Sequence, residues 1–417
     1  MTPDRLPPST ELPLPPDGPA TPDPSAAGVA ASSAASSAPA PAAASSTSAS
    51  SAAELTALIR AEIEGSPNLR IAFARYMELA LYEPRLGYYR RPTDRPTDAG
   101  DFLTAPETHP IFGWTVARRI EAMWEELGRP RPFAIVEFGA GSGTLALAVL
   151  DGLRRHGSTE LLDAIEYEPI ESNPNRLADL RDRFAKAGLA GLLAPLGEPS
   201  NRFVPVSGVI LANEFLDALP VHRVVAQDGE LRELYVTWLG GRFAEVTAEP
   251  PTPELAARLE LEGVTLAEGQ VAEICLEIDP WLRGVAAHLA RGFIIAIDYG
   301  YEAAELYGPR HLAGTLLGYR GHRVEVDPFA APGETDLTAH VDFTAVARNA
   351  AGLGFRTVSL TTQSEFLVTA GLEEELRALQ ASPDLTLADY TRARSGIIRM
   401  LDPRHMGGFR VLTLERV

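Results

Sequence analysis

Phe133-Ala134-Ile135-Val136-Glu137-Phe138-Gly139-Ala140-Gly141-Ser142-Gly143-Thr144 is the stretch that decides the fold. An apolar run, Phe133 to Val136, leads into an acidic residue, and glycines then fall at alternate positions, Gly139, Gly141 and Gly143. Leu145 to Leu153 continue with helical spacing. Strand, tight turn and helix in that order mark the place where an α/β sheet binds a nucleotide-like ligand. Glycine adopts backbone conformations closed to other residues and lets the chain approach a ligand with no Cβ between them. A dinucleotide fingerprint, Gly-x-Gly-x-x-Gly, would place its third glycine at position 144, where this chain has threonine.

The spacing Glu/Asp-x-Gly-x-Gly-x-Gly resembles motif I of the class I S-adenosylmethionine methyltransferases. That cofactor has no pyrophosphate to set on a helix N-terminus. Its sulfonium and amino group are cationic, and carboxylates are natural neighbours for both.

Composition bounds the rest. The chain has 417 residues, and positions 1–52 are almost wholly Pro, Ala, Ser and Thr. Such a segment buries too little apolar surface to offset its ordering entropy, and we expect a disordered tail. It has neither the Arg-rich amphipathic character of a mitochondrial presequence nor the apolar core of a secretory signal. About 365 residues remain, enough for one large α/β domain with insertions or for two domains. No stretch reaches the roughly 18 apolar residues of a membrane span, so no membrane insertion is expected. The single cysteine, Cys275, excludes an internal disulfide and a cysteine-rich zinc site, and suits a reducing cytoplasm. A net charge of −19 argues against general affinity for nucleic acid.

Periodicity predicts helices over 53–64, 71–81 and 110–127, with a polar loop at 100–108 between the last two. These form a helical cap, 53–130, ahead of a core at 131–417. In the core, strands are expected at 133–138, 164–171, 208–212 and 293–298, and late strands at 356–360 and 409–414. Helices are expected near 144–156, 174–187, 280–290 and 344–353. Val221 to Val225 and Leu231 to Trp238 read as an antiparallel pair turning at Asp228-Gly229. Positions 270–275 stay ambiguous. The alternation implies a mostly parallel sheet, with ligands beyond the carboxyl ends of its strands.

Polar residues just after strands are therefore the candidates. Glu171 suits a ribose, since one carboxylate can accept from both hydroxyls of a vicinal diol. Glu166 and Glu168 compete for that role. Strand alternation is read as putting all three on one side, so position along the strand decides. Asn213 and Glu214 follow the strand at 208–212. Glu214 or Asp217 could hold a cationic acceptor, and an arginine guanidinium pairs with carboxylates in bidentate fashion. The competing reading makes Asn213 a helix N-cap with acids in the first turn. His340, between Asp336 and Asp342, could act as a base, while Asp342 could equally cap the helix that follows. No His/Asp/Glu spacing makes a metal site.

Together these motifs resemble the MidA-like S-adenosylmethionine-dependent methyltransferases, which include mitochondrial complex I assembly methyltransferases. The likeness spans Glu54 to Val417. It rests on Tyr76 to Tyr82, Leu86-Gly87-Tyr88-Tyr89, Gly100 to Glu107, Glu137 to Leu145 and Ala212 to Pro220. It continues through Ile297-Asp298-Tyr299-Gly300, Gly318 to Arg323, Asp327-Pro328, Asp336 to Phe343 and Pro403 to Gly407. The resemblance implies a Rossmann-like class I methyltransferase sheet with an N-terminal helical cap and an inserted β-hairpin and helical elements. It implies S-adenosyl-L-methionine as cofactor, held by Glu137, Gly139, Gly141, Gly143, Glu171 and Asn213, with Asp101 and Thr104 closing the pocket. Glu214, Asp217 and, less directly, His340 are then the acceptor-side residues. It suggests symmetric methylation of an arginine in a protein, a complex I core subunit among the candidates. A homodimer stays open as a further partner. The competing functions are an assembly factor that binds a partner subunit without chemistry and a small-molecule methyltransferase.

Overall fold

A computed structural model describes residues 44–91, 104–194, 205–249, 252–321 and 323–417. Asp101 lies outside them, as does nearly all of the expected tail.

The central sheet has six strands: β1 (Phe133–Phe138), β2 (Ile165–Ile170), β3 (Val206–Asn213), β4 (Leu289–Asp298), β5 (Arg356–Thr362) and β6 (Arg410–Arg416). Their order across the sheet is β5-β6-β4-β3-β1-β2. β2, β1, β3 and β4 run parallel, while β6 is antiparallel to β4 and β5 to β6. The central strands are continuous apolar runs because both faces are covered. Ile135, Val209, Leu211, Ile295 and Ile297 face one core cluster. Ala134, Val136, Ile210, Ala212, Ile294 and Ala296 face the other. Pro169 is accommodated because β2 is an edge strand with β1 as its neighbour.

The chain goes from β1 outward to β2 and then returns to the other side of β1 as β3. Strand order reverses there, and the crevice beyond the carboxyl ends of β1 and β3 is where such a sheet takes a ligand. Helix Thr144–His156 follows the glycine turn with the boundaries its periodicity predicts.

Three expectations are corrected. The helix predicted over 71–81 starts at Phe73, because Arg70–Ala72 is a short strand. Helix Ile111–Glu126 is not part of a separate cap: ten of its residues are buried, many in the same core cluster as β1 and helix Thr144–His156. Residues Ser45–Val417 form one unit, with no break near position 130. The inserted hairpin, His222–Gln227 and Glu230–Leu239, is the middle of a five-stranded antiparallel sheet completed by Arg70–Ala72, Arg242–Ala248 and Val271–Ile274. Its turn forms as expected, with Asp228 and Gly229 both left-handed. Helix Phe73–Tyr82 packs on this sheet through Phe73, Tyr76 and Met77 and brings Tyr82 to the crevice.

Candidate active site

The crevice holds a cavity of about 880 Å³. One side is built from consecutive residues. Gly139, Gly141 and Gly143 take φ of +70°, +54° and +80°, a region that side chains disfavour. Gly139, Gly141 and Ser142 line the cavity. Gly143 sits behind them, where a Cβ would come within 2.9 Å of Leu180 Cγ. Arg183 fastens the turn from outside, donating to the Ser142 carbonyl and hydroxyl at 2.9 Å and to Thr144 Oγ1 at 3.0 Å. Glu171 reaches across it: its Oε2 accepts the Gly141 N–H at 2.8 Å and its Oε1 the Asn173 N–H at 2.7 Å.

Glu166 and Glu168 do not share that position, and the reading that put all three acids on one side is corrected. Two residues apart, they occupy one face of β2. Glu166 is exposed and Glu168 pairs with His288 at 3.1 Å. Glu171 lies an odd number of residues further on, past the strand end, and turns into the cavity. Glu137 also lines it, buried, with the Tyr167 hydroxyl donating to its Oε2 at 2.6 Å. Burial pushes its pKa up to about 8.

The opposite side is assembled from distant segments. No helix follows β3 directly, so Asn213 does not cap one. Instead Glu214 adopts φ +48°, and its N–H donates to the Ile297 carbonyl at 2.8 Å. Its Oε1 accepts from Ala105 N–H and Asn213 Nδ2, both at 3.3 Å. Asp298, at the end of β4 and fully buried, holds the turn that follows. Its Oδ2 accepts the N–H groups of Phe215, Leu216 and Asp217 at 3.1, 2.9 and 3.2 Å, and its Oδ1 that of Tyr299 at 3.0 Å. The Tyr299 hydroxyl donates to Asp217 Oδ2. Burial, reinforced by Asp217, raises the Glu214 pKa to about 8, and burial raises that of Asp217 to about 6. Asp298 is raised by burial and by Asp217 and Glu214.

Aromatic residues close the wall. Tyr82 stacks on Tyr89 at 5.5 Å and donates to the Ala218 carbonyl at 2.9 Å. Tyr89 donates to Asp336 Oδ1 at 2.6 Å. Thr104 lines the cavity as the cap of the short helix Ala105–Thr108, in a capping box with Glu107. His340 does not join these residues. It lies behind Tyr299, ring centroids 5.3 Å apart, in a neighbouring cavity, and burial lowers its pKa to about 4. Asp342 caps helix Phe343–Gly352 through a 3.0 Å bond from Ala345 N–H. Sequence reasoning missed Asp298 and Arg183 as organisers. The only available signal for Asp298 was an acid at the end of an apolar strand.

Could this site hold S-adenosyl-L-methionine? The left-handed glycines leave a cradle without Cβ atoms, Glu171 stands at its edge, and Glu137, Glu171, Glu214 and Asp217 supply carboxylates for a cationic ligand. The residues present fit it. Among the described residues no group of His, Cys, Asp and Glu could hold a metal ion.

Comparisons with known proteins agree. Residues 115–361 match a family described as S-adenosyl-L-methionine-dependent methyltransferases. A Burkholderia thailandensis protein solved with S-adenosyl-homocysteine bound is 32% identical, with a TM-score of 0.79 over 91% of this chain and 95% of that one. The mitochondrial protein arginine methyltransferase NDUFAF7 of Danio rerio is 28% identical, covering 75% of this chain and 76% of its own. Its Drosophila melanogaster homologue is also 28% identical, covering 85% and 82%.

Proposed function

Since the chain belongs to the family of S-adenosyl-L-methionine-dependent methyltransferases, we propose that its acceptor is an arginine side chain of a protein substrate. The observation that carries this reading is the pair Glu214 and Asp217 on the acceptor side of the cavity. Two carboxyl groups with raised pKa, held side by side by fixed hydrogen bonds, suit a cation, which would favour their charged form. Arg75, Arg176 and His222 also line the cavity; Arg75 is engaged by Glu62 and Glu78 and His222 by Glu233. A small-molecule methyltransferase would present an enclosed apolar pocket instead. The arginine methyltransferases among the relatives support the same acceptor class. A complex I core subunit remains the candidate that the sequence resemblance implies.

In this reading Gly139, Gly141 and Glu171 bind the cofactor, Glu171 at the ribose. When bound, S-adenosyl-L-methionine would supply an electrophilic methyl carbon on a sulfonium sulfur, which departs as a neutral thioether once the methyl is transferred. Glu214 and Asp217 orient the guanidinium so that one nitrogen faces the methyl carbon. Glu214 takes the proton that this nitrogen must lose; a carboxylate near pKa 8 suits proton transfer at neutral pH. Asp298 and Tyr299 hold the two acids in place. The test is methyl transfer from labelled cofactor to arginine peptides. Labelling that disappears when arginine is replaced by lysine, and in Glu214→Gln protein that still binds S-adenosyl-homocysteine, is expected. Equal labelling of both peptides would overturn the reading, and full biological activity of Glu214→Gln would favour a binding role without chemistry.

A further inference from the structure

Behind Tyr299 and Tyr319, which line the large cavity, lies a second one of about 390 Å³ that they also line. Its other lining residues are His340, Arg399, Arg404, His405, Met406 and Phe409. The charge is opposite to that next door. The large cavity is rich in carboxylates, whereas no carboxylate lines this one among the described residues. Arg399, on helix Leu387–Leu401, has no acidic partner among the described residues. Arg404 pairs with Asp402 at 3.0 Å, and both are near the solvent rim. At the inner end His340 Nδ1 is buried with no hydrogen-bond partner, an arrangement that costs free energy unless a ligand or water completes it.

Tyr299 joins the two cavities. Its hydroxyl binds Asp217 on one side, and its ring meets His340 and Phe409, at 5.3 and 5.4 Å, on the other. A peptide crossing this wall would set a cation against Glu214 and Asp217 and an anion against the arginines. We propose that the second cavity is a specificity subsite for the carboxylate of an Asp or Glu near the acceptor residue in the protein substrate. Extended chain advances about 3.3–3.6 Å per residue, so one tyrosine side chain is spanned in roughly two or three residues. The assignment rests on the arginine-acceptor reading for its register, but its charge preference stands separately. Arg399 and Arg404 act here as binding residues, with no part in methyl transfer.

A set of capped peptides tests it, with arginine or citrulline at the acceptor position and a single Glu or Gln placed in turn at each of the three positions on either side. Binding is measured by fluorescence anisotropy on the full chain saturated with S-adenosyl-homocysteine. The Glu peptide is expected to bind about tenfold more tightly than its Gln partner at one or two positions, as a charge-assisted contact at a partly exposed site allows. This preference should vanish in Arg399→Gln/Arg404→Gln and turn toward a Lys peptide in Arg399→Glu/Arg404→Glu. No Glu preference, or one that survives in both variants, overturns the subsite. A phosphoserine peptide that binds tightly where Glu does not would also overturn it, by making the ligand a phosphate. Loss of the arginine-over-citrulline contrast with the Glu preference intact would instead sink the acceptor reading alone.

Discussion

The two sides of the large cavity are built in different ways. The side proposed for the cofactor is local: Gly139 to Thr144 form one turn, and Glu171 returns to it from the neighbouring strand. The side proposed for the acceptor is remote: Phe215 to Asp217 take their shape from Asp298, 81 to 83 residues further along the chain. A local turn tolerates the loss of one contact because its backbone conformation is set by glycine. A segment without regular structure has only its few long-range bonds to define it.

The largest effect should therefore come from Asp298, a residue that does not line the cavity at all. Asp298→Ala takes the acceptor from four backbone N–H groups, those of Leu216 and Asp217 buried and those of Phe215 and Tyr299 partly buried, and is expected to cost about 3 kcal/mol of stability. Methyl transfer should fall below detection while S-adenosyl-homocysteine still binds to the folded fraction. Denaturant titration and calorimetry on one preparation check both. Equal loss of cofactor binding would mean the two sides are a single cooperative unit.

Glu214→Gln comes next. It keeps the shape and removes the charge, so methyl transfer should drop about 10²–10³-fold with cofactor affinity within about twofold. The same substitution should stabilise the protein at pH 8. A carboxylate whose folded pKa is raised to about 8, from an ordinary value of 4.5, holds a proton that the unfolded chain sheds earlier. Stability is thus lost as pH rises between those values, and Gln removes that loss, on the order of 4 kcal/mol at pH 8. Melting curves at pH 5 and pH 8 read the sign directly. Binding runs the other way: a guanidinium needs deprotonated acids, so kcat/KM for an arginine peptide should rise as pH passes through about 6 and then 8. A flat profile over that range would remove Glu214 and Asp217 from the acceptor contact.

The same division explains what was legible in the sequence. β1 and helix Thr144–His156 have the limits their apolar spacing predicts, because both are fixed by residues within one stretch. Arg242–Ala248 and Arg70–Ala72 went unread because each gains its strand character from Glu230–Leu239. Helix Ile111–Glu126 read correctly as a helix but not as part of the core, since burial depends on what it packs against. Glu171 is legible as a candidate, but alternation does not group it with its rivals: three residues past Glu168, it falls on the opposite face. For His340, the pattern Asp-x-x-x-His-x-Asp gave chemistry without position, and one tyrosine ring puts it in a different cavity.

On the local side, Gly143→Ala should weaken S-adenosyl-homocysteine binding about tenfold. Alanine at φ +80° is strained by about 1–2 kcal/mol, and its Cβ would press on Leu180. Isothermal titration would show this, and an unchanged affinity would mean the turn can move as a body without harm.

The smallest effect is expected at Arg183, and it is informative because it is small. Arg183 binds Ser142 and Thr144 from behind and touches no ligand-facing atom of the glycines. Partly buried, which lowers its pKa without discharging it, it donates all three bonds through Nη1, to one carbonyl and two hydroxyls. Arg183→Ala removes three bonds from a turn whose φ angles glycine already permits. Cofactor affinity should then fall about threefold, with the KM for an arginine peptide unchanged. A loss as large as that from Gly143→Ala would show that the turn is held by its clamp and not by its glycines, and the local side would prove as dependent on a distant residue as the acceptor side is on Asp298.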